Sequence, residues 1–331
     1  MTDAAKMSPE PAASARRKSS IMARFWRWEG SGVLVALLVL FTGLALAADN
    51  FLSDYNMSVV ARQAAFVGLV ALGQTLVLLV GGIDLSVGAC AGLSAIVGAI
   101  ALTQWGIHPW LIIPFTMGFG FFLGAVNGFF VASLRLNPFI VTLATWEIFA
   151  GLTLVITEGY PVRPLGEAFS VFGKGEIYSI PVPVIIFILS ALVLIWMLTQ
   201  TRFGRNIFAV GGNRDAARLA GIRVSRVEFL AFGMAGMFAA LAGILYASRS
   251  DAANPAAGEN WLMGAITAAI LGGTSLRGGQ GSIVGTVLGS LMLAVLANGT
   301  VLMNVSGFWQ RVIVGCVVLV AVLVDLLRRR D

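Results

Sequence analysis

The sequence is poor in charge, in cysteine and in histidine, and each shortage excludes a class of protein. Charged residues make up 11% of the 331-residue chain and hydrophobic residues 58%, whereas a soluble domain carries roughly 25% charged residues. The chain therefore has too few polar residues to cover a globular surface in water. Two cysteines, Cys90 and Cys316, and one histidine, His108, provide no cluster with the spacing of a metal site.

Catalytic and nucleotide-binding motifs are also missing. There is no Ser–His constellation and no phosphate-binding G-x-x-x-x-G-K-[ST] loop, and the glycine-rich run at 278–282 lacks the lysine. No row of Asp, Glu and His is present that could relay protons through a membrane. The longest polar stretches, 1–29, 158–180 and 200–226, are too short for an ATP-hydrolysing domain. We therefore expect neither an enzyme nor a cofactor bound by this chain.

Long hydrophobic stretches fill most of the sequence instead. About twenty apolar residues in a helix cross the hydrocarbon core of a bilayer, and a helix satisfies its own backbone hydrogen bonds there. We expect an all-α polytopic membrane protein with about ten transmembrane helices. The ten stretches are Gly32–Ala48, Val59–Val80, Leu85–Leu102, Trp110–Ser133, Phe139–Ile156, Pro181–Leu198, Val227–Ala247, Trp261–Gly273, Ile283–Met303 and Trp309–Leu327.

The basic residues indicate which side of the membrane each loop faces. If the N-terminus is cytoplasmic and the helices alternate, all but five of the 22 basic residues lie on the inner side. This positive-inside bias predicts that both termini are cytoplasmic and that the helix count is even. We expect a disordered cytoplasmic tail over 1–29 and a single transmembrane domain over 30–331. The five basic residues that do not lie on the inner side are Arg62, Arg163, Lys174, Arg249 and Arg311.

Two glycine-rich runs interrupt the hydrophobic pattern, GGIDLSVGA at 81–89 and LGGTSLRGGQGS at 271–282. We expect short broken helices near Gly81–Ser86 and Gly272–Ser282. Non-helical backbone at membrane depth is tolerated only inside protein or beside a water-filled cavity. Paired interruptions in matching positions of the two halves of a chain are a pointer to a transport pathway.

A few polar residues inside the hydrophobic stretches are candidates for a pathway or gate. Asp84 could instead cap a helix by accepting from the amide of Ser86 or Val87. Glu147, near the middle of the fifth stretch, is expensive in a membrane unless it is paired, protonated or wetted. The alternative to a pathway role for Glu147 is a structural hydrogen bond. Neutral amides and hydroxyls suit an uncharged, hydroxyl-rich solute. The candidate pathway or gate residues are Gly82, Asp84, Ser86, Asn127, Thr142 and Glu147, and the plausible partners of Glu147 are Arg62, Gln63, Gln74 and Asn127.

The most basic stretch, 200–226, is expected to be a cytoplasmic loop. Within it Asn213 can cap a short helix that runs to Ala220, and Gly221 can end that helix. A loop that only sets topology needs no capped helix, so a docking element for a cytoplasmic partner is favoured over a plain loop. The outer segment 158–180 is long enough to cover the outer mouth or to touch an extracytoplasmic partner.

Four blocks taken together resemble the permease subunit of ribose-type bacterial ABC importers. The resemblance runs from about residue 30 to the end of the chain. It implies a multi-pass protein of the bacterial inner membrane that works with a second permease copy, two ATP-binding subunits (or one duplicated ATPase) and a periplasmic sugar-binding protein. ATP and Mg²⁺ would be used by the partner subunit. The blocks are GGIDLSVGA at 81–89, NGFFVASLRLNPFIVTLAT at 127–145, FGRNIFAVGGNRDAARLAGI at 203–222 and ILGGTSLRGGQGSIVGTVLG at 270–289.

The resemblance also assigns roles to segments. Residues 204–221 match the segment expected to carry the coupling helix of such permeases, whereas 81–88 and 127–142 inherit only a general role in the pathway or gate. One departure is Ala150-Gly151, where relatives commonly carry Arg-Gly. The implied coupling residues are Gly204, Asn213, Asp215, Ala216, Arg218, Leu219 and Gly221.

The function expected from the resemblance is ATP-driven import of a pentose or hexose. An importer of the same architecture for branched-chain amino acids, nucleosides or a furanone signal is the alternative. A rival from another class is a stand-alone, ion-coupled secondary transporter. An intramembrane enzyme has no credible nucleophile or metal site here. Nucleic acid is not an expected partner, because the net charge of +6 follows from membrane topology.

Overall fold

The computed structural model describes residues 31–306 and six residues between 309 and 319. The predicted tail at 1–29 and most of the tenth stretch, Trp309–Leu327, lie outside the described residues. The described elements are α1 Ser31–Ala47, α2 Asp54–Leu79, α3 Val87–Thr103, α4 Pro109–Gly128 with a π-helical turn at Phe129–Ser133, α5 Pro138–Thr157, α6 Glu167–Lys174, β1 Glu176–Ile177, β2 Ile180–Pro181, α7 Val182–Gln200, α8 Arg202–Gly212, α9 Arg214–Leu219, α10 Val224–Ser250, α11 Trp261–Leu271 and α12 Ile283–Leu302.

The all-α membrane fold is confirmed, but the count of spanning helices is not. Within the described ranges, six helices are long and apolar enough to cross a bilayer, namely α2, α4, α5, α7, α10 and α12. The apolar helices α1, α3 and α11 are shorter. The predicted stretch Trp261–Gly273 forms the short helix α11. The 11 residues of α11 rise only about 16 Å, roughly half of the hydrocarbon core.

Helices α2 and α10 form the centre of the molecule. In their most apolar windows, 83% of α2 and 72% of α10 residues are buried, against 28% in each of α4, α5 and α7. Small residues allow this dense packing. A Cβ added to Gly236 of α10 would collide with the carbonyl oxygen of Gly120 on α4 and would lie 2.8 Å from the amide nitrogen of Gly124. The two helices therefore touch backbone to backbone, which is a recurrent way of joining helices in a membrane.

Two buried polar pairs fix α2 antiparallel to α12. Near one end, the amides of Asn56 and Asn298 donate to each other at 3.0 and 2.7 Å. Near the other end, the hydroxyls of Thr75 and Thr286 are 2.8 Å apart. Because pairs lie at both ends of the contact, they set the register of the two helices as well as joining them.

The backbone is interrupted where the sequence predicts it, at 80–86 between α2 and α3 and at 272–282 between α11 and α12. A third interruption, 251–260, lies between α10 and α11. It reaches the first turns of α3, where Gly258 packs against the backbone of Gly88 and the carbonyl of Ala257 faces Gly92. Gly258 has a φ of +91°, and the missing side chains at all three glycines permit the close approach.

The arginine-rich and opposite faces of the domain are built differently. On the arginine-rich face, α8 and α9 connect α7 to α10. On the opposite face, the segment 158–181 folds over the end of α10 and carries α6 and the β1–β2 hairpin. The Ser248 hydroxyl donates to the Phe169 carbonyl at 2.6 Å, and the Asp251 carboxylate accepts from the amides of Leu165 and Gly166 at 3.0 and 3.2 Å. This segment is therefore clamped onto the helical domain.

Candidate functional site

Three predicted pathway residues, Asp84, Ser86 and Asn127, meet in one buried hydrogen-bond cluster. Ser86 donates to Asp84 Oδ1 from its backbone nitrogen at 2.8 Å and from Oγ at 2.7 Å. Asn127 Nδ2 donates to Ser86 Oγ at 2.7 Å and more weakly to the Asp84 carboxylate at 3.4 and 3.5 Å. None of the three is more than 1% exposed. The cluster therefore joins the 80–86 break to α4 and offers no open surface in this conformation.

The backbone of Asp84 is held by a side chain from α2. With its amide oriented so that donor faces acceptor, Gln74 donates to the Asp84 carbonyl at 3.1 Å and accepts from the Asp84 amide at 3.2 Å. Gln74 thus supplies the two backbone hydrogen bonds that the broken helix cannot form. Asn127 Oδ1, by contrast, has no hydrogen-bond partner among the residues described, so the bonding of the cluster is not saturated.

A second candidate surface is the short helix α9 on the arginine-rich face. Asn213 Oδ1 accepts from the amide of Ala216 at 2.9 Å, which confirms the predicted cap. Gly221 has a φ of +83° and follows the helix end, as expected of a C-terminal glycine. Ala217 is buried, while Leu219 is 89% exposed. The Leu219 side chain is therefore available for contact with a partner.

Comparison with known proteins identifies the family. Residues 56–322 match the profile of a family described as "Branched-chain amino acid transport system / permease component". The chain is 44% identical to the ribose import permease protein RbsC of Bacillus subtilis over 89% of its own length and 92% of the relative. The chain belongs to this family of ABC importer permeases. The resemblance to ribose-type permeases is thereby confirmed.

Other relatives of the permease carry the names of related transport systems. It is 40% identical to RbsC of Escherichia coli strain K12, over 88% of this chain and 92% of the relative. It is 37% identical to the D-allose transport system permease protein AlsC of the same strain, over 94% and 95% of the two chains. No solved structure matches the permease.

The other predicted pathway residues of the permease do not join the Asp84 cluster. Gly82 lies in the same break, where an added Cβ would lie 3.2 Å from Val77. Thr142 is buried and donates to the Pro138 carbonyl of its own helix at 2.8 Å. Glu147 lies on the exposed face of α5. The roles of these residues in transport stay predictions.

Three of the four expected partners of Glu147 are engaged elsewhere. Arg62 forms an ion pair with Glu176 at 2.8 Å, Gln74 bonds to Asp84 and Asn127 bonds to Ser86. No hydrogen bond or ion pair of Glu147 is present within the described part of the permease. The structural alternative proposed for this carboxyl group therefore has no support inside a single chain.

The predicted coupling residues of the permease lie on one continuous segment. Gly204 is buried where α8 turns back on Leu198, and its amide donates to Thr201 Oγ1 at 3.2 Å. The remaining side chains of the set are exposed on or beside α9, namely Asn213, Asp215, Ala216, Arg218 and Leu219. Gly204 is thus a packing position, and the other residues form the accessible surface.

Two features of the site were missed by sequence reasoning. Gln74 was seen only as one of several neutral polar residues and a possible partner of Glu147. The ion pair between Arg214 of α9 and Glu228 of α10, at 2.8 Å, was not predicted at all. One signal was available for the pair. Glu228 is an acidic residue in a stretch otherwise rich in arginine, and such a residue calls for a basic partner when it is buried.

Proposed function

We propose that the permease forms the membrane passage of an ATP-driven, binding-protein-dependent importer of a monosaccharide in the bacterial inner membrane. The observation that carries this proposal is similarity over about nine tenths of the chain to permeases named for ribose, D-allose and L-arabinose. These names share one chemistry, a small neutral solute covered with hydroxyl groups. Amides and hydroxyls rather than dense charge are the groups suited to such a solute.

The energy for transport is supplied by a separate cytoplasmic partner in this proposal. The partner consists of two ATP-binding subunits, or one duplicated ATPase, that use ATP and Mg²⁺. Support comes from α9, whose outward surface carries the exposed side chains of Leu219 and Arg218. An apolar side chain beside a guanidinium group is typical of the composition of a protein interface. The coupling residues on α9 are therefore assigned to contact with the ATPase.

The passage is placed between two copies of the permease. Glu147 supports this placement because it lies halfway along α5 and on its exposed face. A carboxylate at that depth cannot face lipid at low cost, and charged groups in membranes face a bundle interior or a water-filled cavity. The neighbouring exposed positions Ala144 and Gly151 are small and leave room for water or solute. A second copy covering this face would create such a cavity.

The transport cycle then follows from the two candidate regions. A loaded sugar-binding protein docks on the face that carries 158–181, and ATP-driven closure of the ATPase subunits displaces α9. The breaks at 80–86 and 272–282 allow the helices that flank them to reorient. The Asp84–Ser86–Asn127 cluster is the proposed gate, because the unpaired oxygen of Asn127 lowers the cost of breaking the cluster.

Reconstitution tests this function. The permease is placed in proteoliposomes with its candidate ATPase subunits and sugar-binding protein, and uptake of radiolabelled D-ribose, D-xylose, D-allose and L-arabinose is measured, with L-leucine as the comparison solute. We expect uptake of at least one sugar that requires ATP on the ATPase side. Uptake of L-leucine alone would assign the amino-acid alternative. Concentration of sugar by the permease alone, driven by an ion gradient, would refute the proposal.

A further inference from the structure

The backbone of α8 meets both glycine-rich breaks at one place. We call this place the glycine contact, and it consists of Leu79–Gly81, Gly211 and Gly278–Gly279. The amide of Gly279 donates to the carbonyl of Leu79 at 2.9 Å. A Cβ on Gly211 would collide with these same two groups, and a Cβ on Gly278 would lie 3.0 Å from the Gly211 carbonyl oxygen. Three separate chain segments therefore touch through backbone atoms alone.

A second contact ties the next helix, α9, to the central helix α10. The guanidinium group of Arg214 lies 2.8 Å from Glu228 Oε2, and the two side chains are 46% and 6% exposed. Glu228 is the buried member of the pair, and loss of its partner leaves a buried charge uncompensated, which is unfavourable. If α9 moved away from α10, Glu228 would lose its partner at this energetic cost. The ion pair therefore holds the two helices together.

These two contacts lie on either side of Asn213, the single residue between α8 and α9. A displacement of α9 therefore reaches Gly211 and Arg214 within one or two residues of the chain. Contacts between backbone atoms contain no flexible side chain that could absorb the displacement, and close-packed interiors transmit strain. Both breaks of the pathway and α10 would be moved from the same point.

We propose that Gly211 and Arg214 are positioning residues that make both glycine-rich breaks and α10 follow α9 when the ATPase moves it. This inference rests on the proposed function, because it presupposes that the ATPase contacts α9. It goes further by naming the route from that contact to the breaks. The proposed gate at Asp84 lies in the first of these breaks, three residues after Gly81.

The chain offers a matched pair of substitutions. Gly211→Ala inserts a methyl group into the glycine contact, whereas a Cβ on the adjacent Gly212 has no atom within 4 Å. Both variants are made in a background in which the native cysteines are removed by Cys90→Ala and Cys316→Ala. Leu276→Cys then places a single thiol in the break at 272–282, at a position that is 39% exposed. The measurement is the rate of maleimide labelling in the complex with the ATPase subunits, with ATP and orthovanadate or without nucleotide.

We expect the nucleotide-dependent change in labelling to persist in Gly212→Ala and to fall roughly 2- to 30-fold in Gly211→Ala, the range found for single changes along a coupling network. The ATPase subunits should co-purify with both variants, because α9 keeps its outward surface. An equal response of the two variants would overturn the proposal. If the ATPase subunits fail to co-purify with Gly211→Ala but not with Gly212→Ala, the role of Gly211 is overturned. The role of Arg214 is then decided by the second pair of variants.

The second pair uses arginines and avoids steric change. Arg214→Gln removes the charge that faces Glu228, and Arg226→Gln removes an exposed arginine that forms no ion pair in the described part of the chain. We expect Arg214→Gln alone to weaken the labelling response, and the double variant Arg214→Gln with Glu228→Gln to recover part of it. Identical responses of Arg214→Gln and Arg226→Gln would overturn the role of Arg214.

The labelling measurement does not depend on the transported solute. If the unaltered permease takes up none of the sugars but its labelling responds to ATP, the sugar assignment fails and the inference stands. If the ATPase subunits do not bind the unaltered permease, the proposed function and the inference fail together. If sugar uptake requires ATP but Gly211→Ala behaves like Gly212→Ala in labelling and uptake, only the inference fails.

Discussion

Gln74→Met is expected to destabilise the permease far more than the same substitution at Gln63 on the same helix. The Gln74 amide satisfies both backbone groups of Asp84, at 3.1 and 3.2 Å. Methionine has a similar length but cannot form these bonds, so two buried backbone groups lose their partners. Each unsatisfied group costs about 1–3 kcal/mol, which gives a loss of about 2–6 kcal/mol in the free energy of unfolding. Gln63 is half-buried and forms no hydrogen bond with other described residues.

The assay is equilibrium unfolding of the purified permease in mixed micelles with increasing denaturing detergent. The expected loss corresponds to a rise in the unfolding constant of roughly 30-fold or more. Gln63→Met should change the free energy of unfolding by less than about 0.5 kcal/mol, as surface substitutions usually do. If the two variants unfold at the same detergent fraction, the side chain does not support the broken backbone, and the explanation of how this break is stabilised is wrong.

Three further predictions concern the fold and the partner surface. Replacing Asn56, Asn298 or both residues by leucine gives the variants of a double-mutant cycle of unfolding, and the cycle should yield a coupling energy of about 1 kcal/mol. A coupling energy near zero would show that the amide pair does not join α2 to α12. Gly120→Leu should abolish accumulation of folded permease in membranes because of the backbone contact with α10. Gly118→Leu should accumulate normally, because a Cβ added at Gly118 has no atom within 4 Å, and equal yields of the two variants would refute the close packing. Leu219→Glu should reduce co-purification of the ATPase subunits without lowering the unfolding midpoint, because the side chain is 89% exposed, and undiminished co-purification would contradict docking at α9.

The local signals in the sequence predicted the elements that carry them. Hydrophobic runs predicted the helices, and the glycine-rich runs predicted two of the three interruptions. Asn213 and Gly221 predicted both ends of a helix only six residues long. These successes share a cause, since each feature depends on residues close together in the chain and on the backbone preferences of particular residue types.

The third interruption shows where local signals fail. Residues 251–260 contain alanine, glycine, asparagine and proline, a composition typical of an exposed loop. Their position beside Gly88 and Gly92 depends on how α3, α10 and α11 pack against one another. Hydrophobicity alone likewise did not reveal that α11 is only 11 residues long.

For the polar residues, too, the sequence revealed one property and the tertiary structure revealed another. Their presence in hydrophobic stretches indicated that they needed partners, but not which partners. Gln74 bonds to Asp84 ten residues away, Asn56 bonds to Asn298, and Arg214 bonds to Glu228. Glu147 was expected either to line the pathway or to form a structural hydrogen bond, and it lies on the exposed face of α5.

The sequence by itself determined that this protein lies in a membrane, where its helix breaks at 80–86 and 272–282 fall, and that a capped helix begins at Asn213. Those properties follow from hydrocarbon solvation and from the conformations open to neighbouring residues. Only the tertiary structure decided that α8 touches both breaks through Gly211 and that a single ion pair joins α9 to α10. Contacts between residues far apart in the chain depend on how whole helices pack, and no local pattern encodes that packing.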